Sequence, residues 1–195
     1  MSSRPRPDVR LFAGIPVPQP ALSQLQAILR DLQARSWPVR WVRPEGLHLT
    51  LKFFGSVAER TAEALVPALA TASDGMGAIP ISCAGIGSFP PGQRAKVIWL
   101  GIDAPGALEL LQDAVERACV PLGFPVEGRP FRPHITLGRV KNEEKLPPRA
   151  LETIETTPEV PFLAERLVLF QSQPGRGGSV YREFHSFSLG PCAAV

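Results

Sequence analysis

Apolar residues fall along the chain in two spacings, and together they predict seven strands and three helices. Arg10-Leu-Phe-Ala-Gly-Ile15 is a short apolar run closed by Pro16, which predicts a first strand. From Pro20 to Arg35 the apolar positions Leu22, Leu25, Ile28, Leu29 and Leu32 recur at helical spacing and predict an amphipathic helix. Trp37–Pro44 is extended and punctuated by prolines. A strand follows over Leu47–Phe54, closed by Gly55, and then a helix over Glu59–Ala72. Asp74–Pro80 is rich in Gly and Pro and is expected to link two lobes. Beyond it come strands at Ile81–Phe89 and Ala95–Ile102, a helix at Leu108–Val120, and a strand at Arg132–Val140. A charged loop spans Lys141–Arg149, and a last strand pair covers Glu165–Gln171 and Val180–Leu189. Strands and helices mix without strict βαβ alternation. The expected class is α+β with largely antiparallel sheets.

Composition narrows the possibilities. At 195 residues, 44% apolar and 20% charged, the chain has the make-up of a globular protein, with room for one large domain or two small lobes. No apolar run approaches the ~20 residues a membrane helix needs. Met1–Asp8 is basic but is followed by no apolar signal core, so no signal peptide is expected. Net charge is 21 − 18 = +3, a mild bias toward anionic partners. No dense Lys/Arg run suits a long duplex, and a small phosphorylated or single-stranded ligand fits better. Cys83, Cys119 and Cys192 are far apart and odd in number, which predicts free thiols in a reducing cytoplasm.

Two of only three histidines sit in near-identical strings, His48-Leu-Thr-Leu51 and His134-Ile-Thr-Leu137. Both strings fall in predicted strands. Side chains alternate along a strand, so His48 shares a face with Thr50 and His134 with Thr136, while the apolar partners face a core. Two such strands facing each other make a cleft of approximate two-fold symmetry. Two imidazoles, one neutral and one protonated, suit acid–base cleavage of a phosphodiester. In similar environments they predict a bell-shaped pH profile with limbs on either side of neutrality. Threonine hydroxyls can donate to non-bridging oxygens. No Asp, Glu or Cys lies within either string, so no metal and no cofactor is expected.

The paired strings resemble the two-histidine (2H) phosphoesterase superfamily. The longer segments Leu47-His-Leu-Thr-Leu-Lys-Phe-Phe-Gly55 and Phe131-Arg-Pro-His-Ile-Thr-Leu-Gly-Arg139 are similar to its RNA 2′,3′-cyclic phosphodiesterase / 2′-5′ RNA ligase family. The opening run Arg10–Ile15, and Leu167–Ser172 followed by Tyr181, resemble that family's first and last strands. The resemblance implies a bilobal α+β fold over residues 1–195, with the two HxTx motifs at 48–51 and 134–137. Two largely antiparallel sheets with flanking helices would be related by a pseudo-two-fold axis, with the active site between the lobes. It implies metal-free hydrolysis of RNA 2′,3′-cyclic phosphate ends to 2′-phosphomonoesters, with 2′-5′ ligation as the reverse chemistry. It casts His48 as proton donor and His134 as proton acceptor, with Thr50, Thr136 and Arg139 on the phosphate. The expected partners are RNA bearing 2′,3′-cyclic phosphate ends or small cyclic nucleotides, and the expected state is a cytoplasmic monomer away from membranes.

Other readings stay open. The chain is alternatively a cyclic phosphodiesterase on a small nucleotide such as ADP-ribose cyclic phosphate, or a non-catalytic module that binds RNA ends. Arg139 stands at an odd offset from His134, so strict alternation points it away from the cleft. Either the strand ends at Gly138 or Arg139 is a surface residue. Lys52 and Arg132 have even offsets and can share the polar face. Phe12 or Tyr181 can stack a base. His185 lacks the following threonine and is expected to be non-catalytic, and Arg176 lies on a glycine-rich hairpin tip.

Overall fold

The computed structural model describes residues 8–103, 106–154, 157–175 and 178–191. Its three helices each bury one stripe. Helix α1 (Gln19–Gln33) buries Leu22, Leu25, Ile28, Leu29 and Leu32, with Pro20 in its first turn, where a missing N–H costs no helical bond. Helix α2 (Glu59–Ser73) buries Ala62, Leu65 and Leu69. Helix α3 (Gly106–Cys119) buries Leu108, Leu111 and Val115.

Nine strands make one antiparallel sheet: β1 (Val9–Pro16), β2 (Val39–Trp41), β3 (His48–Val57), β4 (Ile79–Phe89), β5 (Val97–Asp103), β6 (His134–Val140), β7 (Val160–Ala164), β8 (Arg166–Gly175) and β9 (Gly178–Ser188). Their order is β7-β4-β5-β6-β3-β1-β8-β9, with β2 pairing β6. The α+β, largely antiparallel expectation holds. The two expected sheets are β3-β1-β8-β9 and β7-β4-β5-β6, and they join through one residue pair, Leu49 opposite Ile135. Next to this junction, β6 leaves β3 and pairs with β2 from Gly138 to Val140.

One large core covers a single face of this sheet. It holds Leu11, Ile15, Leu49, Leu51, Ile135 and Leu137 from the strands together with the buried stripes of all three helices. Helix α1, which follows β1, packs on β7 of the other half, and α3, which follows β5, packs on β3. Helices α1 and α3 therefore cross between the halves, while α2, which follows β3, packs on β1 and β9 of its own half. The opposite face carries a small aromatic cluster, Phe12, Val168 and Phe170 with Tyr181 against it. Most of that face is free for polar chemistry.

The periodicity did not predict β7, whose Pro161 suits only a sheet edge. The expected linker is shorter than its composition implied, because β4 already begins at Ile79. Cys83 and Cys119 are free and buried. Burial pushes their thiols up to about 12 and about 11, which leaves them unreactive. Cys192 lies outside the described residues. Among the described residues, no helix is long and apolar enough to cross a membrane.

Candidate active site

β3 and β6 present the two histidine strings side by side at the junction of the half-sheets. Leu49 and Leu51, like Ile135 and Leu137, are buried in the core. His48, Thr50, His134 and Thr136 occupy the other face and are partly accessible. The Leu49–Ile135 pair holds the strings in register from beneath.

Each string is followed by a break in the strand's alternation. Opposite β1, Thr50 pairs with Gly14 but Lys52 pairs with Ala13 and Phe53 with Phe12, so Leu51 is an extra residue. Opposite β5, Thr136 pairs with Trp99 but Gly138 pairs with Ile98 and Arg139 with Val97, so Leu137 is the extra residue. These are β-bulges, and each shifts the following residues to the opposite face. Two expectations change as a result. β6 continues through Val140, so the strand does not end at Gly138, and the bulge turns Arg139, which is exposed, onto the histidine face rather than away from the cleft. Lys52 is turned into the core, 7% exposed, where it pairs with the Glu116 carboxylate and donates to the Pro125 carbonyl at 2.9 Å. It does not share the polar face.

The two imidazoles are held alike. His48 Nδ1 donates to the Gly46 carbonyl at 2.7 Å, and His134 Nδ1 donates to the Arg132 carbonyl at 2.7 Å. Each bond fixes the tautomer and leaves Nε2 free for acid–base work. Their electrostatics differ. Burial, partly offset by the Gly46 bond, pushes His48 down to about 4, with smaller contributions from His134 and Arg139. Burial also lowers His134, opposed by its Arg132 bond and reinforced by Arg139. Arg139 thus acts on both imidazoles. Among the described residues, no three His, Cys, Asp or Glu side chains are grouped as metal ligands.

Aromatic rings wall both sides. Phe12 lies under His48, 4.6 Å between centroids, and Tyr181 meets His48 edge-on at 4.9 Å. Phe89 meets His134 edge-on at 5.2 Å, and Trp99 lies 6.4 Å from His134. Gly87 makes room for Trp99, since a Cβ there would overlap the indole ring. Phe12 is 2% exposed and supports His48 rather than offering a stacking face. Tyr181 is partly open. Arg132 is exposed, precedes β6, and contributes its carbonyl. His185 sits on β9 against Phe187, away from the strings. Arg176 lies outside the described residues.

Two residues on this face were missed. The first bulge exposes Phe53 at 68%, 5.8 Å from Phe12, at the position that Arg139 holds in the second string. Arg40 stands directly opposite Arg139 across β2 and β6. The only sequence signal for Phe53 was its matching offset of five from its histidine. Arg40 had none before strand pairing was known.

A curled antiparallel sheet with two HxT strings on its open face defines a two-histidine phosphoesterase architecture. Residues 17–176 match the 2′-5′ RNA ligase superfamily, and the chain belongs to that family. It is 29% identical over 184 residues to an RNA 2′,3′-cyclic phosphodiesterase of Methanothermobacter thermautotrophicus, covering 93% of this chain and 99% of that protein. It is 37% identical over 123 residues to the Aeropyrum pernix protein of the same name, covering 62% of this chain and 69% of that one. Among solved structures, Escherichia coli LigT complexed with 3′-AMP superposes with a TM-score of 0.73 at 26% identity, covering 93% of this chain and 98% of that one.

Proposed function

We propose that this chain hydrolyses RNA 2′,3′-cyclic phosphate ends to 2′-phosphomonoesters by two-histidine acid–base catalysis. The carrying observation is that two HxT strings share one face across the Leu49–Ile135 pair, each imidazole held through Nδ1 with Nε2 free. A water oxygen attacks phosphorus as the P–O3′ bond breaks. His134 accepts the water's proton, and His48 donates a proton to the departing O3′. The Thr50 and Thr136 hydroxyls and the Arg139 guanidinium hold the non-bridging oxygens as charge builds. With a 5′-hydroxyl in place of water, the same displacement of O3′ forms a 2′-5′ linkage. We take residues 1–195 as one bilobal unit that acts as a cytoplasmic monomer on RNA ends or small cyclic nucleotides.

The deeper burial of His48 favours a second reading of the roles. His134 takes a proton more readily in the free protein, which suits it as the acid. A substrate whose leaving group needs no proton separates the two, because loss of the acid is then tolerated. Rescue of His48→Ala supports the first assignment, and rescue of His134→Ala supports the second.

The test of the activity is incubation with a short RNA ending in a 2′,3′-cyclic phosphate, in excess chelator, with the product mapped. A 2′-phosphomonoester is expected. His48→Ala and His134→Ala should each slow turnover by at least ~10²-fold, the size of a lost acid–base catalyst, while His185→Ala stays within a few-fold. Binding without turnover would support the RNA-end module, and hydrolysis of ADP-ribose cyclic phosphate alone would support the small-nucleotide enzyme.

A further inference from the structure

Arg40 and Arg139 are directly opposed across β2 and β6, so their side chains leave the sheet on the same face. Their strand neighbours Val39 and Val140 point the other way, into a small apolar cluster with Ile98, Leu146 and Ala150. Both arginines are exposed. Like charges directly opposite one another weaken a sheet. Among the described residues, no carboxylate pairs with either guanidinium. The pair therefore carries an uncompensated double positive charge at the rim of the site.

The two arginines differ in distance from the chemistry. Arg139 follows the second histidine string on β6 and shares its face, which makes it the nearer of the two to the phosphate in the proposed reaction. Arg40 is one strand further out on the same face. Two adjacent cations, one at the reacting phosphate and one beyond it, match two successive phosphates of a nucleotide strand. In a chain ending in a 2′,3′-cyclic phosphate, the next phosphate is on the 5′ side of the terminal ribose. A guanidinium suits it because its planar donor fork matches phosphate oxygens.

We propose that Arg40 binds the phosphate 5′ to the terminal nucleotide and so selects 5′-phosphorylated or polynucleotide ends over nucleoside cyclic phosphates. This rests on the cyclic-phosphate reading of the site. The assignment gives Arg40 a role in binding and none in the chemical step. It also accounts for the like-charge pair, which one phosphate per guanidinium would neutralise.

The experiment compares adenosine 2′,3′-cyclic phosphate, which lacks a 5′ phosphate, with the dinucleotide ApA ending in a 2′,3′-cyclic phosphate. Arg40→Gln should lower kcat/KM about tenfold on the dinucleotide and leave the mononucleotide unchanged. For single strands each phosphate contact contributes about 0.7 to the slope of log affinity against log salt, so the dinucleotide's salt dependence should become shallower by about that amount. Arg40→Lys should retain the slope. Thermal unfolding should show no loss of stability in Arg40→Gln, since the substitution removes a repulsion. An equal loss on both substrates, or no loss on the dinucleotide, would overturn the proposal. If the wild-type protein cleaves neither substrate, the reading of the activity fails instead. Fluorescence anisotropy of a 5′-labelled oligoadenylate ending in a 3′-phosphate then decides on Arg40: weaker, less salt-dependent binding by Arg40→Gln sustains the contact, and unchanged binding removes it.

Discussion

His48 and His134 share a motif and a backbone hydrogen bond but not an electrostatic environment. Burial lowers both, and His48 falls to about 4, well below the ordinary histidine value. The expected bell around neutrality therefore moves. kcat/KM follows the protonation of the free enzyme, which needs one imidazole charged and the other neutral. With both groups lowered, the charged one loses its proton as pH rises, before 6.5 is reached. kcat/KM should peak below pH 6.5 and fall about tenfold per unit above it. On the acid side it should fall as the pair takes up its second proton, near pH 4, the value to which burial lowers His48. The apparent values belong to the interacting pair. A bound phosphate anion favours the imidazolium, so the kcat profile should sit at higher pH than the kcat/KM profile. Initial rates from pH 4 to 9 check both points, and a kcat/KM optimum above pH 7.5 would contradict the burial argument.

At the scale of the element, period-two alternation carried the reading through each His-x-Thr and failed one residue later. His48, Thr50, His134 and Thr136 share a face because alternation holds that far. The bulges at Leu51 and Leu137 then reverse it. No composition signal marked them, because a bulge depends on the partner strand's register as well as on local sequence. For this reason seven of the strands and the HxT faces were legible, while the faces of Lys52, Phe53 and Arg139 were not. Leu49 against Ile135, the pair that joins the half-sheets among the described residues, was equally invisible. Lys52 shows what the bulge commits the fold to. Its buried partner Glu116 also accepts the Glu127 N–H at 3.2 Å and a Gln112 Nε2 bond at 3.2 Å. These bonds tie β3 and α3 to the segment leading toward the second string. Lys52→Met strands a buried carboxylate and should destabilise the protein by about 3–5 kcal/mol in urea unfolding. Adding Glu116→Leu should cost less than the sum of the single changes, because the stranded charge is gone. Additive losses would mean that the pair contributes no net coupling.

Across the whole molecule, two half-sheets meet at one strand pair, yet they share one core. Helix α1 leaves the β1 half to cover β7, and α3 leaves the β5 half to cover β3. Each half is covered in part by a helix that follows a strand of the other, β7 by α1 and β3 by α3. Two half-sheets at the site therefore coexist with a single large core. The tryptophans report on this directly. Trp37 and Trp41 lie in or beside β2, and Trp99 lies in β5, so all three fall on the half built around β6. Far-UV circular dichroism follows the helices of both halves. The fluorescence and dichroism transitions in urea should coincide, as two-state unfolding requires. Leu11 on β1 is buried in the shared core at 1% exposure. Leu11→Ala should cost about 2–5 kcal/mol and move the tryptophan transition as far as the dichroism one, although no tryptophan lies in that half. A tryptophan transition that stays in place while the dichroism shifts would mean that the halves unfold independently, and that the site is assembled between separable units.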